Sequence, residues 1–262
     1  MSKMLPYERY QLIIDQAKVQ HFVSIRELKG LLNCSQTTIQ RDIIYLESQG
    51  KIKRTMGGIS YIDESIKYVE YSIYKNRQNL FRKEKEAIGK ATQEYICDGE
   101  IIFISHGTTT YQVVNNIDTT KDVIIITNGL DIINCLEGKP NIKALILGGF
   151  IDYTHRQITG PVIPRMLEKL NISKLIIGVG GISEEKGVSF YDFVSVDYFS
   201  HIVPSVKQII VVADHSKIGR DSLVQFIPLN QVNVIITDDG LDNKYIDIFK
   251  DHDIICKIAK VL

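Results

Sequence analysis

Apolar residues recur along the chain with two different periods. In the first sixty residues they fall at helical spacing: Tyr10, Ile13, Ile14 and Ala17, then Leu28, Leu31 and Leu32, then Ile39, Ile43 and Leu46. Steps of three and four put each set on one face of a helix. From about residue 100 the pattern changes to short β-branched runs at 101–105, 123–127, 143–147, 175–179, 209–213 and 233–237. Such nearly continuous apolar runs predict parallel strands covered on both faces. Successive runs start 20 to 34 residues apart, which leaves room for one helix and two loops in each interval. The prediction is a doubly wound, mostly parallel α/β domain. A last run at 254–258 is expected to add an edge strand.

Local punctuation sharpens the reading of the first part. Ser24 followed by Glu27 is a capping box that opens the second helix, and the helix is expected to end near Asn33. Ser35 caps the third helix and Gly50 stops it. Two helices separated by about three residues make a helix-turn-helix. Lys51, Ile52, Lys53 and Arg54 then alternate basic and apolar residues, and Gly57-Gly58 follows. This predicts a two-stranded wing with a tight turn. Residues 62–80 read as a connector, an extended arm running into a helix from about Phe81. The stretch from 59 to 82 is polar yet carries Tyr61, Tyr68, Tyr71 and Tyr74. Its basic end, Arg77, Arg82, Lys83 and Lys85, reads mostly as a solvated helix face. The expected division is therefore a winged helix-turn-helix over 1–61, a connector over 62–80 and an α/β domain over 81–262.

Composition limits the function classes. Apolar residues make up 44% of the 262 and charged residues 24%, which excludes a disordered or collagen-like chain. No run approaches the roughly 18 apolar residues needed to span a membrane. The polar start is not a signal peptide. Cys34, Cys97, Cys135 and Cys256 are widely spaced, so they are expected to be free and mostly buried thiols in a reducing cytoplasm. The 31 basic and 31 acidic residues cancel, but unevenly. Residues 1–58 hold nine positive and five negative side chains, a balance of +4, so the remainder sums to −4. A basic head on an acidic body points to a polyanionic partner for the head.

The third helix opens with Ser35, Gln36, Thr37, Thr38, Gln40 and Arg41, small donors and acceptors plus one guanidinium. These residue types suit base edges and phosphates in a major groove. Lys51, Lys53 and Arg54 of the wing suit backbone phosphates. Double-stranded DNA is the expected partner. In the body, ligands of an open α/β sheet bind outside the carboxyl ends of the strands. Those ends carry Gly107-Thr108-Thr109-Thr110, Thr127-Asn128, Gly148-Gly149, Gly180-Gly181 and Lys217. Gly107 followed by three threonines can open a helix whose N–H groups and hydroxyls hold a phosphate, with Lys217 as countercharge. Gly178-Val179-Gly180-Gly181 is not a dinucleotide fingerprint, and there is no phosphate-loop motif. Asp214-His215-Ser216 cannot form a triad from sequence neighbours. No metal and no cofactor are expected.

The stretch from Val23 through Glu27-Leu28, Ser35 to Asp42 and Gly50 to Arg54, ending in Gly57-Gly58, resembles the winged helix of DeoR-type bacterial transcription regulators. Gln40 stands where arginine is common and Met56 where histidine is common. Gly107 to Thr110, Thr127-Asn128, Gly148-Gly149, Gly181 and Asp214 to Gly219 resemble that family's effector domain, which is similar in fold to ribose-5-phosphate isomerase. The resemblance implies a DNA-binding regulator, usually a repressor of carbohydrate genes, that works as a homodimer or homotetramer and senses a phosphorylated sugar or related metabolite. It further implies that Gly107 to Thr110 hold the phosphate, with Thr127, Asn128, Gly180, Gly181 and Lys217 lining the rest. Where the family often reads a carboxylate and then a serine, this chain has Ser105 and His106. His106 either contacts an anionic group or fills space. The alternative is a sugar-phosphate isomerase with an accessory DNA-binding head, but an isomerase needs a base, and Ser105 is not one.

Overall fold

The computed structural model describes residues 4–20, 22–32, 34–48, 51–55, 58–61 and 74–262. They fall into two compact units, divided between residues 71 and 72.

The first unit is a three-helix head with a small sheet. Helix α1 spans Pro6–Gln20, β1 Phe22–Ser24, α2 Ile25–Leu32 and α3 Gln36–Ser48. Strands β2, Ile52–Thr55, and β3, Gly58–Tyr61, pair antiparallel. Strand β1 adds to the other side of β3, so the predicted two-stranded wing is the outer part of a three-stranded sheet. The capping box forms as read: the backbone N–H of Glu27 reaches Ser24 Oγ at 3.2 Å, and the Ser24 N–H reaches Glu27 Oε2 at 2.8 Å. Ile13, Ala17, Val23, Leu28, Ile39, Ile43, Leu46, Ile52 and Ile59 make one core. Leu31 lies outside it, 39% exposed, because only Leu28 and Leu32 of α2 face inward. Asn33 and Gly50, expected at the ends of α2 and α3, and Gly57 of the expected Gly57-Gly58 turn lie outside the described residues, as does Met56, while Gly58 opens β3.

The second unit is built on seven parallel strands: β4 Ile101–Ile104, β5 Val123–Thr127, β6 Ile142–Ile146, β9 Lys174–Gly178, β12 Gln208–Val212, β14 Val234–Asp238 and β15 Ile255–Ala259. Their spatial order is β15-β14-β12-β9-β4-β5-β6. The chain thus winds outward one way from β4 and the other way from β9, and these two central strands are direct neighbours. Alternate residues feed two cores. Ile102, Ile104, Ile176, Ile210 and Ile236 pack on one face with helices α5 (Arg82–Ala91) and α6 (Thr108–Asn115) and with Ile132 of α7 (Leu130–Cys135). Phe103, Leu175, Ile177, Val211 and Ile235 pack on the other with α8 (Ile163–Leu167), α9 (Phe193–Ser200) and α10 (Lys244–Asp251).

Four expectations need correction. Residues between β12 and β14 form no α-helix; they hold a short strand, β13 (Val224–Ile227), which joins β10 (Gly181–Ser183) and β11 (Gly187–Phe190) in a small antiparallel sheet. A hairpin of β7 (Phe150–Asp152) and β8 (Gln157–Thr159) was likewise not anticipated. Strand β6 is not covered on both faces, since Lys143 to Ile146 are exposed at the sheet edge. The helix expected from Phe81 begins at Arg82 and is preceded by a separate six-residue helix, α4, over Tyr74–Asn79. The four cysteines are free, three half-buried and Cys97 exposed. No helix among the described residues is long and apolar enough to cross a membrane.

Candidate functional site

In the head, the geometry of α3 separates an inner from an outer face. Ser35 is the N-cap: its Oγ accepts the Thr38 N–H at 3.2 Å and lies 2.8 Å from Thr38 Oγ1. Ser35 and Thr38 therefore secure the start of the helix. Gln36, Thr37 and Arg41 are exposed, and Gln40 is half-buried. On the inner side Asp42 is buried and takes a two-pronged hydrogen bond from Arg9 of α1, at 2.7 and 3.0 Å. The bonds to Asp42 hold the Arg9 guanidinium more firmly protonated than usual. Lys51 and Arg54 are exposed, and Lys53 sits in register opposite Ser60. The Arg54 N–H donates to Glu47 Oε1 at 3.1 Å, tying the wing to the end of α3.

In the second unit, the residues singled out lie at the carboxyl ends of the central strands. The chain turns sharply after β4. Gly107 has φ +152°, and a Cβ there would stand 2.9 Å from Thr110 Oγ1. Thr110 Oγ1 donates to Gly107 O, and α6 begins at Thr108. The first N–H groups of such a helix have no intrahelical acceptor. Thr108, Thr109 and Thr110 are buried. Ser105 Oγ donates to His106 O at 3.2 Å and receives the Gly178 N–H at 3.4 Å, so it bridges β4 and β9 and provides no base.

Several predicted lining residues serve the scaffold. Thr127 Oγ1 accepts the Gly129 N–H at 3.0 Å, and Asn128 Oδ1 accepts the His106 N–H at 3.1 Å. Asn128 thereby fixes the position of the loop after β4. A Cβ on Gly180 would strike Ser222, and one on Gly181 the backbone of Arg220. These glycines allow close packing of the small sheet.

Lys217 is buried in a single turn of 3-10 helix after β12, and its Nζ donates to Tyr191 Oη at 2.7 Å. Burial pushes its ammonium down to about 8, with Arg220 and Arg77 adding to the shift against Asp214. Arg77 is not among the residues expected to line the site. Its guanidinium lies 5.9 Å from the Tyr74 ring and 5.4 Å from the Tyr191 ring, so it is not on a solvated face. Lys85 is also buried, donating to the carbonyls of Arg77 and Leu80 at 2.6 Å each; Arg82 and Lys83 are exposed as expected. His106 is pushed down to about 4, first by burial and then by Arg77, so it is a neutral imidazole. A cavity of about 220 Å³ opens beside Thr108, bordered by Tyr74, Asn79, Arg82, Lys85 and Gln112. Tyr68, Tyr71 and Tyr74 in the connector were the available sign that part of it packs on the body.

Comparison with known proteins agrees with this two-part layout. Residues 9–65 match the DeoR-like helix-turn-helix domain and residues 81–239 the DeoR C terminal sensor domain. The HTH-type transcriptional regulator IolR of Bacillus subtilis is 32% identical, over 88% of this chain and 91% of that one. The putative aga operon transcriptional repressor of Escherichia coli O157:H7 is 30% identical, over 89% and 87%. The glycerol-3-phosphate regulon repressor of Escherichia coli K12 is 27% identical, over 94% and 96%. Ribose 5-phosphate isomerase from Plasmodium falciparum superimposes over 53% of each chain with a TM-score of 0.38 and 19% identity, too little to bear on activity. The matched families and relatives are regulators, not enzymes. With both domain families matched in order, and relatives aligned over nearly the whole length, the chain belongs to the DeoR family of DNA-binding transcriptional regulators.

Proposed function

We propose that the protein represses a carbohydrate-metabolism operon and releases its operator when a phosphorylated sugar or a related anion occupies the rim between β4 and β9. The observation that carries this reading is the sheet order. The winding reverses between β4 and β9, and ligands of such sheets bind at that reversal. There the Gly107 turn opens α6, and buried Thr108 to Thr110 line its first turn. A helix start of this kind favours an anion. One relative carries glycerol 3-phosphate in its name, which fits a phosphorylated effector.

On the DNA side, Gln36, Thr37 and Arg41 read base edges while Lys51, Lys53 and Arg54 hold phosphates. A two-fold homo-oligomer presents two such helices about 34 Å apart to a palindromic operator. Gel-shift titration tests the assignment: Arg41→Ala and Lys53→Ala each weaken operator binding, and unchanged affinity in both moves the DNA face elsewhere. Lys217→Ala retains operator binding but no longer responds to the sugar phosphate that releases the wild type. Thermal-shift screening against phosphorylated sugars and polyols identifies that ligand, because binding raises apparent stability by mass action. A flat response across the panel removes the effector half of the proposal.

A further inference from the structure

Arg77 is set unlike an ordinary surface arginine. Tyr74 and Tyr191 flank its guanidinium, and its Nε is buried with no hydrogen-bond partner among the described residues. Asp192, the acidic side chain whose charge it senses, already accepts the Ser195 N–H at 2.7 Å and Ser195 Oγ–H at 3.1 Å as the cap of α9. Lys217 shares the same aromatic ring: its Nζ lies 5.4 Å from the Tyr191 centroid and bonds the hydroxyl. His106 Nδ1 is a second buried nitrogen without a partner among the described residues. Two unmet nitrogen groups and a buried ammonium thus occupy one rim of the sheet. An unpaired buried donor is costly, and a multivalent oxyanion is the group that meets several at once.

Resting on the effector reading above, we infer that Arg77 is a ligand-binding residue for the phosphate group, and that the bound anion fastens α4 to the sensor unit. Helix α4 is only six residues long and is held by buried Tyr74 and by the Lys85 bond to the Arg77 carbonyl, with a second Lys85 bond to Leu80 just past its end. An anion shared between Arg77, Lys217 and the turn at Gly107 adds a bond from α4 to the strand ends. Occupancy of this anion site is then felt at the first described helix after residues 62–73, which join the two units in sequence.

The test uses the full-length chain with two probes, inorganic phosphate and glucose 6-phosphate. Calorimetry measures affinity and amide hydrogen exchange follows residues 74–80. In the wild type, saturating glucose 6-phosphate slows exchange in 74–80 by about tenfold, the effect of one added charge-assisted bond. Arg77→Gln binds the probe about tenfold more weakly and loses the added protection even at saturation. Arg77→Lys keeps the charge without the fork and falls between the two, which covers a Gln variant that does not fold. Binding of phosphate as tight as that of the sugar phosphate assigns the site to the free anion; tighter binding of glucose 6-phosphate assigns it to the ester; either supports the role of Arg77 if both variants weaken it. Unchanged affinity in Arg77→Lys and Arg77→Gln, or unchanged exchange in 74–80 on binding, overturns the inference; if Lys217→Gln abolishes binding meanwhile, the effector reading survives. No binding of either probe by the wild type overturns the inference, and a flat panel in the thermal-shift screen takes the effector reading with it.

Discussion

A buried carboxylate in α3, the helix proposed to meet DNA, invites the question of what it holds. Asp42 follows exposed Arg41 in sequence yet points the other way, into a two-pronged bond with Arg9. Both side chains are largely shielded, Arg9 at 12% and Asp42 at 4% exposure. Removing Arg9 leaves that carboxylate without its counter-ion, so Arg9→Ala is expected to destabilise the head by about 3 kcal/mol. Thermal unfolding followed by circular dichroism measures this, and an unshifted midpoint argues against a structural role. The position of Asp42 was legible in principle: 39, 42, 43 and 46 share one helical stripe. What the pattern does not contain is its partner 33 residues away. Lys217 behaves differently. Its ammonium is charged below about 8 and neutral above. A bound phosphate restores the charge, so binding at pH 8.5 takes up a fraction of a proton and affinity falls as pH rises further. Calorimetry in two buffers of different ionisation enthalpy detects the uptake; its absence shows that Lys217 does not meet the anion.

At the level of elements, the seven parallel strands were readable because each is a short β-branched run bounded by polar residues. The remaining elements were hidden for specific reasons. Residues 181–190 form a hairpin with a three-residue connection between Ser183 and Gly187, too short and too glycine-rich to stand out against the neighbouring long runs. Strand β6 has the same apolar composition as its neighbours, and only its place at the edge leaves Leu145 and Ile146 exposed. Helix α4 has no apolar stripe; its anchor is Tyr74, and its carbonyls are met by Lys85, eight residues beyond Arg77. The turn after β4 was legible because Gly107 precedes three threonines, and the structure shows why glycine is needed. Gly107→Ala forces a side chain into positive φ and against Thr110 Oγ1. We expect a loss of about 1–3 kcal/mol together with the loss of anion binding. Denaturant unfolding checks the first and calorimetry with a sugar phosphate the second. A variant that retains both shows that the turn can relax.

For the molecule as a whole, the charge asymmetry and the two-unit layout divide the work: residues 1–58, within the first unit, carry +4 and residues 59–262 carry −4. Operator binding is expected to weaken steeply with salt, and each lost phosphate contact lowers the slope of log affinity against log salt by about one. Anisotropy titrations of the wild type and Lys53→Ala at several salt concentrations give that slope directly; equal slopes show that Lys53 makes no phosphate contact. Effector and operator must affect each other's affinity by the same factor, whatever the route between the units. This division also bears on how such regulators diversify. The inward stripe of α3, with Asp42 locked to Arg9, carries the folding of the head, while Gln36, Thr37 and Arg41 contribute little to it. Under the proposed assignment of these three side chains to the operator, duplicated copies can drift to new target sequences through a series of viable intermediates, each one folded, with only its address changed.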